Sequence, residues 1–480
     1  MDKDPAAILR KLRRATAGDA LLSGLAEEAR GRGWSVHVVG GWIRDRCLAR
    51  PFRDLDLTLG SGAAEALEWL AARSSHRTVT FERRVTNHRL TIEGRAVDVV
   101  ERDRRDLVTE LERRDFTVNA VAYDLGQGEL SDPCGGLDDL AAGLLRPPRD
   151  DSFRRDPLRM LRGVRLATEI PVLALTERAR TLIREKPRAL RAAAPERIRE
   201  ELDRILATSR ASLGIEDCDR LGLLTSWIPE IEGARGVTQN RYHHLDVWSH
   251  TLDALAGANH PARLGRGLFQ PGWPRRSEGD GEAVRPDPRL ALLVLRWSLL
   301  IHDLGKPETR RVGPTGEPTF YGHEGVGETL AEEIGRRLVM PGERIRAIRL
   351  VVKNHLRLVV PKGGLLSDRA LARIVRALGP WVEVLALHAL ADQGASRGGG
   401  WRRVRSRLRA TIERLLDVER RVLARRRVGR LLTGRDVMRV LDIEPGPVVG
   451  RILSDAMRLQ EDGVLTAREQ ALEWLARQAG

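Results

Sequence analysis

The chain has 480 residues, with 82 Lys and Arg against 67 Asp and Glu and a net charge of +15. Its length excludes a single hydrophobic core, so two to four domains are expected. Three scattered cysteines (Cys47, Cys134, Cys218) exclude a disulfide framework or a cysteine-rich zinc site. No run of eighteen apolar residues occurs, so no membrane span is predicted. The N-terminal MDKDPAAILRKLRR lacks the apolar core of a signal peptide, and a cytoplasmic location is expected. The charge suits a polyanion such as RNA. Only six of the 82 basic residues are Lys, however, and gene composition alone can produce that bias. Few aromatic residues are present to stack on bases.

Residues 1–35 are expected to be helical, with Leu21, Leu22, Leu25, Ala26 and Ala29 near helical spacing. Val36, Val38 and Val39 predict a buried strand. Gly40 and Gly41 break it, where backbone must approach something closely, and Trp42 to Leu48 begin a helix. A strand, a Gly-Gly turn and a helix N-terminus make an anion site, because free N–H groups face a phosphate. A second strand carries Asp54 and Asp56, whose i, i+2 spacing puts both carboxylates on one face. Such a pair repels unless a cation lies between, which points to Mg²⁺ and a nucleoside triphosphate. Either feature alone is usually a turn or a solvated strand edge; the order of the two is what is specific.

In that order, VVGGWIRDRCLARPFRDLDLT resembles the nucleotidyltransferase head of the tRNA CCA-adding enzyme and bacterial poly(A) polymerase family, class II of the polymerase beta-like superfamily. The resemblance implies two Mg²⁺ on Asp54 and Asp56, and a nucleotide on Gly40, Gly41, Arg44 and Asp45.

Ala63 to Ala72 predicts a helix; Val79 to Phe81, His88 to Ile92 and Ala96 to Val100 predict three strands. Asp98, in the last of them, is either a third carboxylate facing the metals or a solvent-facing residue. In ERRDFTVNAVAYD, Arg113 and Arg114 offer planar forks suited to phosphate oxygens. Asp115 can accept from a ribose hydroxyl, and Asn119 can cap or hold a loop. A surface salt-bridge cluster is the plain alternative. RRDFTVNA resembles the family's second motif, and SDPCGGLDDL its DP-x-GG-x-x-DL segment. Only ERDRRDLVTEL separates Val100 from Glu112. Many CCA-adding relatives carry a longer flexible loop there, associated with switching from C to A; the short form resembles CC-adding members and some other subgroups.

In DSFRRDPLRMLRGVR, Asp156 before Pro157 is placed for a helix N-cap, and Arg159, Arg162 and Arg165 share one side of the helix. The segment resembles the EDxxR element, in which an Asp and an Arg pair with the edge of the incoming base. This implies base choice by Asp156 and Arg159, a pocket completed by Arg162 and Arg165, and no nucleic-acid template. Arg155 stands where the family usually has Glu. Residues 170–235 are expected to be helical, and PERIREELDRILAT resembles the fifth motif, with a mainly structural role.

A second site is expected from near Tyr242. Its candidates are His250 in HLDVWSH, His302 and Asp303 in LLIHDLGK, His323 in GHEG, His355 in KNH and Asp392 in HALADQG. A lone His on an apolar helix is usually a packed core residue; six such groups suit a divalent transition metal. The order H…HD…D is similar to the all-helical HD phosphohydrolase superfamily. That resemblance implies His250, His302, Asp303 and Asp392 as primary ligands, His323 and His355 as the extra histidines of two-metal members, and Lys306 as a phosphate contact. Ala262 to Arg289, rich in Gly, Pro and charge, predicts a long mobile loop. The Arg-rich helix from Trp401 either tracks RNA phosphates or is a solvated face. The ending, with TGRDVM and PGPVVG, resembles the tail of HD-bearing family members.

The fold class expected is α+β: a head at 1–145 with a mixed sheet, a helical neck at 146–235, an HD domain at 236–400 and a helical tail at 401–480. The expected function is addition of CCA, or part of it, to tRNA from CTP and ATP, with an HD phosphatase or 2′,3′-cyclic phosphodiesterase beside it. The tRNA acceptor end would be gripped by shape and phosphates, with no membrane involved. The alternatives are a CC-adding enzyme, an A-adding enzyme, a poly(A) polymerase, an HD phosphohydrolase with a non-catalytic RNA-binding head, and a non-catalytic tRNA-binding protein.

Overall fold

The computed structural model describes residues 4–478 other than 53, 76–78, 83–85, 103–105, 240–243, 265–285, 315, 360–364, 397–400 and 428. Tyr242 and most of the expected Ala262 to Arg289 loop lie outside the described residues. The chain forms two compact units, Met1–Leu202 with Asp217–Ser226, and Asp203–Glu216 with Trp227–Gly480.

The first unit opens with two helices, α1 (Pro5–Ala17) and α2 (Ala20–Arg32), where one was expected. The break at Gly18 and Asp19 is chemical: the Asp19 carboxylate accepts from the Leu22 N–H at 3.1 Å and caps α2. The leucines and alanines singled out by spacing are buried as expected. Then follow β1 (Val36–Val39), α3 (Gly41–Cys47), β2 (Leu55–Leu59), α4 (Ala63–Ala71), β3 (Val79–Glu82), β4 (Thr86–Ile92), β5 (Arg95–Glu101), α5 (Leu107–Glu112), β6 (Ala122–Asp124) and β7 (Leu130–Ser131). The sheet runs β3-β4-β5-β2-β1-β6-β7, and β2 and β5 are its parallel neighbours.

Register in that parallel pair is decided by burial. Leu55, Leu57, Leu59, Val97 and Val99 are all 0% exposed. A one-residue slip would turn one strand's set out of the core. The same alternation sends Asp56 to the opposite face and sets it beside Asp98 on one side and Val39 on the other. Beyond the sheet come α6 (Gly136–Ala142), β8 (Leu144–Leu145), α7 (Ser152–Arg155), α8 (Leu158–Glu169), β9 (Ala174–Leu175, parallel to β8), α9 (Glu177–Glu185) and α10 (Pro195–Leu206). The neck expected to be all helix thus also contributes one short strand.

The second unit is almost wholly helical. Its core is built from the helices Val247–Gly257, Pro288–Ile301, His323–Arg337, Gly342–Asn354 and Val382–Ala395, followed by the 27-residue Trp401–Arg427. The tail has its own small core, with Val437, Val449, Ala471 and Leu475. A capping box of Thr433 and Asp436 explains the TGRD motif locally. The stretch Asp368–Ala395 has the length and hydropathy of a membrane span, but 72% of that apolar window is buried inside the protein.

One buried arginine organises this unit. Arg296 is 1% exposed and has no carboxylate partner among the described residues. It donates to the carbonyls of Leu206, Thr208 (2.7 Å), Ala258 (3.1 Å) and Asn259 (3.0 Å). These lie at the C-terminal ends of Pro195–Leu206 and Val247–Gly257, where carbonyls lack helical partners and the dipole is negative. Burial lowers the guanidinium to about 10. Arg296→Leu is expected to cost about 3 kcal/mol by orphaning those carbonyls. Urea unfolding of the full chain checks it; a loss under about 1 kcal/mol would make the contacts incidental.

Candidate functional site

Gly40 joins β1 to α3 at φ 75°, ψ −135°. A Cβ there would stand 2.7 Å from Oδ2 of Asp56 and 3.0 Å from Nη1 of Arg114, so glycine is required. The close approach expected at this turn is therefore made, within the protein, by its own carboxylate and guanidinium. Burial raises the Asp56 carboxyl above its ordinary value; Arg114 opposes this, while Asp98, Asp115 and Asp54 push it further up. Asp98 is raised too, by burial first and by Asp54, against Arg89 at 3.6 Å. Asp98 pairs in register with Asp56, and its side chain is 40% exposed, so it is both a neighbour of Asp56 and open to solvent. Asp54 precedes β2 and is exposed. Crowded hard oxygens that repel one another fit Mg²⁺. Among the described residues, the head has no set of three potential ligands within 4.8 Å of one another.

A chain of hydrogen bonds runs from this turn through the second and third motifs. Arg44 grips Asp45 through two bonds of 2.9 and 3.0 Å and donates to Asn119 Oδ1 at 2.8 Å. Asn119 donates to Asp115 at 2.9 Å, and Arg162 reaches Asp115 at 3.4 Å and Glu201 at 3.3 Å. Burial would raise Asp115; Arg162 and the Asn119 amide outweigh it and hold the carboxyl below its ordinary value. Burial alone would lower Arg162; Asp115 and Glu201 raise it instead. Arg165 is buried between Glu201 and Glu169, the latter at 2.6 Å. Glu201 of α10 was not singled out in the sequence: a Glu in PERIREEL looks like any solvated helix residue until its two arginine partners are in view.

Gly41 heads α3, and Arg113 is exposed. Arg114 pairs with Glu110 at 3.2 Å. Arg159 donates to the carbonyls of Arg113 (2.5 Å) and Arg114 (3.0 Å) and to Ser152 Oγ (2.7 Å), tying α8 to the Arg113–Asp115 turn. Asp156 stands one residue before the N-cap, which Pro157 occupies; its carboxylate still accepts from the Leu158 N–H at 3.2 Å and meets Arg197 at 3.4 Å. Arg155 holds Asp151 at 2.7 Å.

In the second unit, six side chains from five places along the chain converge, His302 and Asp303 being neighbours. His250, His302 and Asp392 form one triplet with ligand atoms within 4.8 Å, and Asp303, His323 and His355 form another. Asp303 turns Oδ2 to His302 (3.2 Å) and His250 (3.7 Å), and Oδ1 to His323 (3.4 Å) and His355 (4.0 Å). Asp392 meets His250 at 2.8 Å. Nδ1 of His302, His323 and His355 each faces a carbonyl three residues back, at 2.8, 2.7 and 2.6 Å. Those nitrogens are placed to donate, which turns each Nε2 into the cluster. Nε2 of His323 and His355 are 3.2 Å apart, close enough for one cation to take both as ligands. Burial lowers His355 to about 3, which keeps it neutral. This donor set fits a divalent transition metal. Lys306 is buried against Asp303 (2.6 Å) and Gln239 (2.7 Å). The sequence reading missed His388, one turn before Asp392, whose ring centroid is 5.1 Å from that of His302.

A family model of the poly(A) polymerase head domain matches residues 36–146, and one of the probable RNA and SrmB-binding site of polymerase A matches 173–234. The A-adding tRNA nucleotidyltransferase of Deinococcus radiodurans is 34% identical over 369 residues, 75% of this chain and 77% of that one. The CC-adding tRNA nucleotidyltransferase of Thermus thermophilus is 31% identical over 443 residues, 91% of this chain and 92% of that one. Among solved structures, a CCA-adding enzyme with CTP superposes at a TM-score of 0.61 and 19% identity, over 100% of this chain and 99% of that one. The Thermotoga maritima CCA-adding enzyme complexed with tRNA gives 0.58 at 19% identity, over 96% of both. The solved structures speak for the α+β fold, and the sequence relatives for kinship: the chain belongs to the tRNA nucleotidyltransferase family, whose head is that of poly(A) polymerase.

Proposed function

We propose that the protein adds CCA, or the CC part of it, to the 3′ end of tRNA from CTP and ATP, without a template. The observation that carries this is Asp56 packed against the Gly40 turn, with Asp98 paired to it across the sheet and Asp54 near enough to raise its carboxyl. Mg²⁺ held by these carboxylates would lower the pKa of the RNA 3′-hydroxyl and take up charge on the leaving pyrophosphate. The Gly40–Gly41 backbone and Arg113 hold the triphosphate, while Arg44, with Asp45 and Asn119, braces the turn. Asp115, ionised because its carboxyl is held low, accepts from the ribose. Asp156 and Arg159 meet the base edge, and Arg162 and Arg165 hold that helix in place through Glu201. The basic neck (146–235) and tail (401–480) follow the RNA backbone.

The stop point is set by the connection after β5. Five residues, 102–106, lead into α5, whose start is capped by Asp106. So short a link favours ending at CC. The test is a tRNA transcript ending at its discriminator base, incubated with Mg²⁺, CTP and ATP and sized on a sequencing gel. Extension by two is expected. Extension by three would show the short link to be no obstacle. A single A, a long A tail or no extension would overturn the proposal.

The two His/Asp triplets favour a second activity: a metal-dependent phosphohydrolase at 236–400 acting on phosphomonoester or 2′,3′-cyclic phosphate ends. A metal held by these residues would supply hydroxide; Asp303, a member of one triplet that turns its other oxygen to the second, would hold the geometry.

A further inference from the structure

His388 is unlike the other histidines of the second unit. It lies on Val382–Ala395, four residues before Asp392 and so on the same helix face. It is 0% exposed, and neither ring nitrogen has a hydrogen-bond partner among the described residues. Its ring meets His302 of one triplet at 5.1 Å and 82°, and His355 of the other at 5.8 Å and 56°. An apolar ring would fill that place without the desolvation cost of two unsatisfied nitrogens.

The triplets are also unequal. His250, His302 and Asp392 gain a fourth donor in Oδ2 of Asp303, while His323, His355 and Oδ1 of Asp303 make only three. Four donors are the common minimum for a zinc-like ion. We propose that His388 is a further ligand of this cluster, completing the His323–His355 half with a ring nitrogen. The inference rests on the cluster being a metal site. His388 stands outside the two tight triplets, so ligation requires its ring to turn toward His355.

The test uses the full chain stripped of metal and titrated with Co²⁺, whose visible absorption reports its ligands. Affinity is read against a chelating indicator. Wild type, His388→Phe and His388→Gln are compared, with circular dichroism and nucleotide addition confirming that each is folded. Co²⁺ affinity of the weaker site should fall tenfold or more in both variants, with a shifted absorption band. Unchanged affinity and spectrum in a folded variant would reduce His388 to a core residue and leave the metal site standing. Should His388→Phe fail to fold, the Gln variant carries the same comparison. No Co²⁺ binding by wild type would remove the metal site itself and the proposal with it.

Discussion

Asp56→Asn is expected to lower single-turnover nucleotide addition by about a thousandfold, roughly 4 kcal/mol of transition-state free energy, while leaving the metal-free protein as stable as wild type or more so. The two effects have one cause. Asp56 is packed against Gly40 and surrounded by the charges of Asp54, Asp98 and Asp115, with Arg114 as its counter-charge. Without a metal, its ionised form is unfavourable. Its folded value lies above the ordinary 3.8, so the stability it contributes is complete below that value and is lost as pH rises through the folded one. The Asn variant lacks that slope. Mg²⁺ at a hundred times its dissociation constant should stabilise wild type by about 2.7 kcal/mol and the variant by much less. Urea unfolding between pH 4 and 8, with and without Mg²⁺, reads all of this against the addition assay. A variant that keeps a tenth of wild-type activity would remove Asp56 from the catalytic set.

What could be read before folding was what lies together along the chain. Gly40, Gly41, Asp54 and Asp56 fall within one strand-turn-helix-strand unit, and Arg113 to Asn119 within one short stretch, so composition and order sufficed. Asp98 stayed open because its partner is 42 positions away. Only the parallel pairing of β2 with β5, set by buried leucines and valines, places it beside Asp56. Arg162 and Arg165 were read correctly as one helix face, but their counter-charges come from Glu201 on another helix. The convergence of six His and Asp groups was legible because each sits in a short motif with its own signature. His388 was not, because an imidazole in the apolar helical run VLALHALAD is the commonest form of a packed core residue. What sets it apart is that neither ring nitrogen has a hydrogen-bond partner among the described residues.

Asp303→Ala should be the most damaging change in the second unit. Asp303 is 2% exposed and turns one oxygen to each triplet, so if the proposed metals are bound there, removing it should cost both halves their metal, whereas His323→Ala should cost one. It also strands Lys306, whose ammonium is buried 2.6 Å from Asp303 with Gln239 as its other partner. An unpaired buried charge of this kind costs about 3–5 kcal/mol. The sign of the pH effect follows. Burial would raise Asp303, but His302 and Lys306 hold it well below its ordinary value. Its contribution is therefore present above that value and lost as pH falls through the folded one. Lys306→Met in the same chain should restore most of the stability without restoring metal. Metal content by mass spectrometry and urea unfolding of the two single variants and the double would separate the two roles. If the double variant is no more stable than Asp303→Ala, the ion pair is not the source of the loss. If Asp303→Ala still carries metal in both halves, the carboxylate does not link them.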